Sequence, residues 1–227
     1  MTIVQSLPTF LEATLINLGV FAALLPIGFV VGTLVALGQT YGHPLVAAIA
    51  SAWAWFFRGV PALVLLFLFY YGPPLFNIDI SPFTAAALAM GFRSSGYQSQ
   101  IFRGAIESVP AGQVIAGRAI GMTRMQAVWS IVLPQAFRLA LPAWSNEFSA
   151  VLKDTTLVYA IGINEVMRFA RTVYVSNPQL AVLTFLVVAL IFWALTTIGT
   201  TLLQMLERYL ALPGLEGRDD GPRVTAK

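Results

Sequence analysis

A chain of 227 residues that is 58% hydrophobic and only 10% charged is too apolar for a soluble domain. Its net charge of +3 forms no basic stripe interleaved with exposed aromatics, so nucleic acid is not indicated as a partner. With no cysteine and one histidine, disulfides, thiolate chemistry and a metal site are set aside, and the long apolar runs predict a polytopic membrane protein.

No basic residue precedes the first apolar run and no convincing cleavage signal follows it, so it is expected to stay as a helix. That span covers about residues 10–37, with Pro26 and Gly28 expected to bend it and Glu12 and Asn17 read as interfacial polar residues. After a turn at 39–44, a second span covers about 45–71 and is interrupted by Arg58-Gly59-Val60-Pro61. An arginine there is costly against lipid, so Arg58 either anchors a kink or contacts substrate. Tyr70 and Tyr71 form an aromatic belt before the Gly72-Pro73-Pro74 turn.

The third span starts near 81, is apolar to Phe92, and then reads Arg93-Ser94-Ser95-Gly96-Tyr97-Gln98-Ser99-Gln100. Such a run cannot face lipid and must line a protein interface or an aqueous path. Arg93 falls about a dozen residues into the span, near the bilayer midplane at ~1.5 Å per residue. It either pairs with a carboxylate of another helix or meets a substrate carboxylate.

Residues 112–134 form a polar insert, GQVIAGRAIGMTRMQAVWSIVLP. Pro110 precedes a small-residue helix ending at Gly121, and Thr123 with Gln126 has capping-box spacing for a second helix. Met125, Val128, Trp129 and Val132 give that helix one apolar face, and Pro134 is expected to end it. A fourth span at 137–161 carries Ser145-Asn146-Glu147 and Lys153-Asp154-Thr155-Thr156. Asn146 and Lys153, seven apart, share one side, which faces a permeation path unless Lys153 and Asp154 merely fix the helix to its neighbours.

Residues 162–177, with Glu165, Arg168, Arg171 and Tyr174, read as a short amphipathic outer helix or gate. A fifth span covers about 180–206. Its Thr196-Thr197 and Gly199-Thr200-Thr201 groups suggest close helix packing, a dimer contact being one option. A membrane domain thus covers 1–212, and a polar tail at 213–227 is expected to be disordered. Arg103, Arg118, Arg124 and Arg138 flank the insert, and Arg208, Arg218, Arg223 and Lys227 lie near the C-terminus. That side is predicted to be cytoplasmic, with the N-terminus outside.

The insert's Gly112-Gln113, Ala116, Gly121 and closing Leu133-Pro134 resemble the cytoplasmic coupling loop of ABC importer permeases. Arg103-Gly104 with Val109-Pro110, Leu133-Pro134-Gln135-Ala136, and Lys153-Asp154-Thr155-Thr156-Leu157 resemble the polar amino acid uptake branch, permeases of the histidine, glutamine and arginine type. The resemblance implies an all-α polytopic membrane protein, with five transmembrane helices of the type I ABC importer permease fold and a coupling-helix hairpin at about 103–138. It further implies two ATP-binding subunits, a second permease subunit of the same or a different chain, and an extracytoplasmic amino-acid-binding protein. ATP and Mg would sit on the partners, since no G-x-x-x-x-G-K-[ST] loop occurs here.

On that reading Gly112, Gln113, Ala116, Arg118, Gly121, Arg124, Leu133 and Pro134 couple to the ATPase. Arg93, Tyr97, Asn146, Glu147, Lys153, Asp154 and Thr155 line the substrate path. Two positions depart from the family's pattern: Ile115-Ala116-Gly117 stands where Glu and two Ala are usual, and Gln100 replaces an acidic residue ahead of Arg103-Gly104. A permease for methionine, an osmolyte or another small solute is the alternative, followed by a passive channel or scaffold. An intramembrane enzyme is disfavoured because the lone His43 lies in a turn.

Overall fold

The computed structural model describes residues 3–210. The tail expected at 213–227 lies outside the described residues. Within them the chain forms α1 (Ile3–Tyr41), α2 (Pro44–Gly59), α3 (Ala62–Tyr71), α4 (Pro82–Ser108), α5 (Ala111–Ala119), α6 (Arg124–Ala127), α7 (Leu133–Asp154), α8 (Val166–Ser176) and α9 (Ala181–Leu210). A 3-10 segment, Thr155–Ile161, extends α7 towards α8.

Two helical stretches, Gln5–Tyr41 and Pro178–Leu210, are long and apolar enough to cross a membrane. The run expected to form a second span is two helices meeting at 105°, because Pro61 cannot donate a helical hydrogen bond and the residue before it, Val60, is held extended. α4 and α7 have the length for a span, but polar residues occupy their shared face.

α4 is the central post, packed against α1, α2, α3 and α7. Its contact with α1 is close because small residues meet there. A Cβ at Gly32 would stand 2.9 Å from Gln98 Cβ, and one at Gly91 would stand 2.8 Å from Ile27 Cβ. Gly28 and Gly32 are four apart on α1 and form a G-x-x-x-G pair, the arrangement that lets membrane helices approach backbone to backbone.

One apolar core joins α1, α3, α4, the end of α7 and the 3-10 segment through Leu24, Leu65, Leu66, Met90, Leu152 and Val158. A second core ties the late part of α1 to the α5–α6 region, and a third ties the start of α1 to α8 and α9. α1 therefore connects the two ends of the molecule over roughly 60 Å at ~1.5 Å per residue. Gly199 gives the close helix packing expected of its group: a Cβ there would stand 2.5 Å from the Phe148 ring of α7.

Gly32→Val should destabilise the solubilised protein by about 1–3 kcal/mol through overpacking, read as a lowered melting temperature. Gly104→Ala meets open space and should leave the melting temperature unchanged or raise it. Equal effects of the two substitutions would show that the α1–α4 contact is not close-packed.

Candidate functional site

The polar half of α4 meets α7 in a line of side-chain hydrogen bonds. The Trp144 indole N–H donates to Gln98 Oε1 at 2.9 Å, Gln98 Nε2 donates to Ser94 Oγ at 3.0 Å, and Ser94 Oγ donates to Glu147 Oε1 at 2.8 Å. Next to Ser94 on α4, Arg93 Nη1 forms an ion pair at 2.7 Å with Oδ2 of Asp154, seven residues beyond Glu147 on α7. Gln98 and Ser94 are fully buried, so each of these bonds replaces hydration that the interior lacks.

Of the path residues expected from the sequence, Arg93, Tyr97, Glu147 and Asp154 come together. The Arg93 guanidinium lies 5.1 Å from the Tyr97 ring centroid, and the Tyr97 hydroxyl donates to Arg58 O at 3.4 Å. Arg58 thus reaches α4 near its midpoint, its stem 3.1 Å from where a Gly96 Cβ would stand. Asn146 and Lys153 are exposed on α7 and hold no side-chain bond among the described residues. Thr155 stands apart from these groups. It is fully buried, donates to Leu152 O at 2.7 Å, and accepts from Asn17 Nδ2 at 3.3 Å.

Asn17 is not an interfacial residue. It is fully buried and pins the start of α8, donating to Glu165 Oε2 at 2.9 Å and accepting from the Val166 N–H at 3.2 Å. Glu165 caps α8 by accepting from the Arg168 N–H at 2.9 Å. Burial pushes its carboxyl above the ordinary range, against donors from Met167, Asn17 and Arg168. The only sequence signal for this knot was an asparagine inside an apolar run.

The 112–134 insert folds as expected in its turn. Gly121 adopts φ +90°, and Met122 N–H donates to Gly117 O at 3.1 Å. Thr123 and Gln126 form the reciprocal capping box, at 2.8 and 3.2 Å. Pro134 does not end the second helix. A π-helical turn at Val128–Val132 carries the chain into α7, and the wider i→i+5 bond from Leu133 N–H to Val128 O accommodates a proline that would clash in a tighter ladder.

The same turn divides the expected apolar face. Val128 and Val132 are buried, whereas Met125 and Trp129 are 62% and 55% exposed. Ile115 and Ile120, at 68% and 80%, extend that exposed apolar surface across the hairpin. Gly112, Gln113, Ala116 and Arg118 are exposed beside it, as is Pro134, while Leu133 is buried; the Arg124 guanidinium lies 5.5 Å from the Tyr41 ring.

Residues 25–211 match the family described as binding-protein-dependent transport system inner membrane component. The chain belongs to that family. It is 35% identical over 213 residues to a probable amino-acid permease protein, YxeN, of Bacillus subtilis, covering 92% of this chain and 95% of the relative. It is 34% identical to the nopaline transport system permease protein NocM of Agrobacterium fabrum, covering 92% and 90%. One chain of a solved amino acid ABC transporter with histidines superposes with a TM-score of 0.81 at 31% identity, over 92% of this chain and 100% of that one. The MetNI methionine transporter, at 19% identity and a TM-score of 0.71, shares the fold. This chain is therefore a membrane-embedded ABC permease of the importer type, a class that works with ATPase and binding-protein partners.

Arg93→Ala leaves the Asp154 carboxylate without its partner and should cost roughly 1–2 kcal/mol of stability, a partly exposed pair losing less than a fully buried one. Adding Asp154→Asn should recover part of that loss in a thermal melt of the solubilised protein. Losses that simply add would show that the two groups are energetically independent.

Proposed function

We propose that this chain is one of two permease subunits in an ATP-driven importer of polar amino acids, working with two ATP-binding subunits and an extracytoplasmic binding protein. The observation that carries the proposal is the hairpin. Its Gly turn and capping box present Ile115, Ile120, Met125 and Trp129 as exposed apolar surface on a segment too short and polar to sit in lipid. Such a surface fits a groove on a soluble subunit. Docking by packing also accounts for Ile115 in place of the family's usual Glu: the contact is apolar, with Arg118 at its side.

The hairpin end carries Arg103, Arg118, Arg124 and Arg138, and positive charge favours the cytoplasmic side. The α8 end then faces outward and the N-terminus lies outside. Closure of the ATPases moves the hairpin; the π-helical turn passes that movement into α7 without a break. α7 and α4 carry the substrate path at mid-membrane, lined by Arg93, Tyr97, Asn146, Glu147, Lys153 and Asp154. Arg93 pairs with Asp154, while Glu147 accepts from Ser94 and Lys153 has no side-chain partner among the described residues, so this face keeps one carboxylate and one ammonium to meet the two charged ends of an amino acid. Thr155 acts as the joint where α7 becomes the Thr155–Ile161 segment.

In proteoliposomes holding the full complex, amino acid uptake should require ATP and binding protein together; uptake without ATP would instead indicate a passive pathway. Gly121→Val strains a left-handed turn by ~1–2 kcal/mol and should lower substrate moved per ATP by about tenfold while hydrolysis continues. An unchanged transport-to-hydrolysis ratio would contradict the docking role of the turn.

A further inference from the structure

At the α8 end lies a cavity of about 720 Å³ that the mid-membrane path does not use. Its walls are Tyr70 and Tyr71 from the end of α3, Tyr159 from the 3-10 segment, and Arg168, Arg171 and Thr172 from α8. No carboxylate lines it among the described residues, and neither guanidinium enters a hydrogen bond or ion pair among them. Arg168 stands at the border with a smaller cavity lined by Glu12, so Arg171 is the cation committed to the larger one. Arg171, with Arg168 beside it, in a concave wall that holds three tyrosines and no carboxylate among the described residues, selects an anionic group. The tyrosine ring faces suit an ammonium.

The floor of this cavity is joined along the chain to the polar face of α7. Tyr159, Ala160 and Ile161 belong to the segment that starts next to Asp154, the partner of Arg93, and Gly162 closes it. Gly162, at φ +94°, turns the chain back so that Arg168 comes within 3.5 Å of where its Cβ would stand. One short stretch of backbone therefore runs from the arginine-lined cavity to the mid-membrane ion pair.

We propose that this cavity is a capture site for the α-carboxylate of an amino acid, occupied before the substrate reaches the α4–α7 face. The proposal rests on the importer reading for its direction. Arg171, with Arg168, binds the carboxylate, and the tyrosines hold the ammonium side. Release towards Asp154 and Glu147 follows when the Thr155–Ile161 segment moves.

The chain has no cysteine, so Val175→Cys, an exposed residue of the cavity wall, introduces a thiol unique on this subunit. In the whole complex in phosphatidylcholine nanodiscs, this thiol should react at least about tenfold faster with a sulfonate-bearing thiosulfonate than with its trimethylammonium counterpart. Millimolar L-glutamine or L-histidine should slow labelling, whereas 4-aminobutanamide and histamine, which lack the carboxylate, should not. Arg168→Gln with Arg171→Gln should abolish both the charge preference and the protection.

Absence of a charge preference would overturn the proposal. So would protection by phosphatidylglycerol but by no amino acid, which would assign the cavity to a lipid headgroup. Protection by the binding protein alone would make it a docking face and likewise overturn the capture site. Uptake by the same complex, measured separately, keeps the two readings apart: uptake without protection removes the capture site alone, and protection without uptake removes the importer reading alone.

Discussion

Charged and amide groups are too costly to leave against lipid, and the architecture follows from where this chain puts its few. α4 carries Arg93, Ser94 and Gln98; α7 carries Trp144, Glu147 and Asp154. Each helix alone would be unfavourable in lipid. Packed together, they satisfy one another through the Trp144–Gln98–Ser94–Glu147 line and the Arg93–Asp154 pair. The small residues of α1 then close over the back of α4, and the apolar helices α2, α3 and α9 supply surface that lipid can meet. The polar seam is thus what holds the centre together, and in the proposed importer it is also the face that receives the solute.

Mechanical continuity is the second feature. α1 touches the hairpin region at one end and α8 at the other. The hairpin flows through a π-helical turn into α7, and α7 flows through Thr155–Ile161 towards the Asn17–Glu165 knot that seats α8. Packing and helical backbone therefore join the hairpin to the α4–α7 seam and to the far end, the route by which the proposed mechanism would pass on a displacement.

Features set by neighbouring residues were readable in the sequence. The Gly121 turn and the Thr123–Gln126 capping box depend on a few adjacent side chains, and both form where the spacing put them. Pro134 was misleading for a local reason: a proline ends an α-helix but is accommodated where the preceding turn widens to π geometry. Features joining distant segments were not readable. Asn17 and Glu165 are 148 residues apart, and nothing near Asn17 announces its partner. Arg93 carried two readings until Asp154, 61 residues away, was seen beside it. Gly199 likewise gave no sign that Phe148, 51 residues earlier, is what it packs against.

The account turns on the hairpin being the handle by which an ATPase works the membrane helices. Native mass spectrometry of the chain, gently solubilised from its own membrane, tests that most directly. The account predicts an assembly with two ATP-binding subunits and two permease subunits, from which a variant with Ile115, Ile120, Met125 and Trp129 all changed to serine loses the ATP-binding subunits while the permeases stay together. Reproducible recovery of the chain without any ATP-binding subunit, across several detergents, would contradict it.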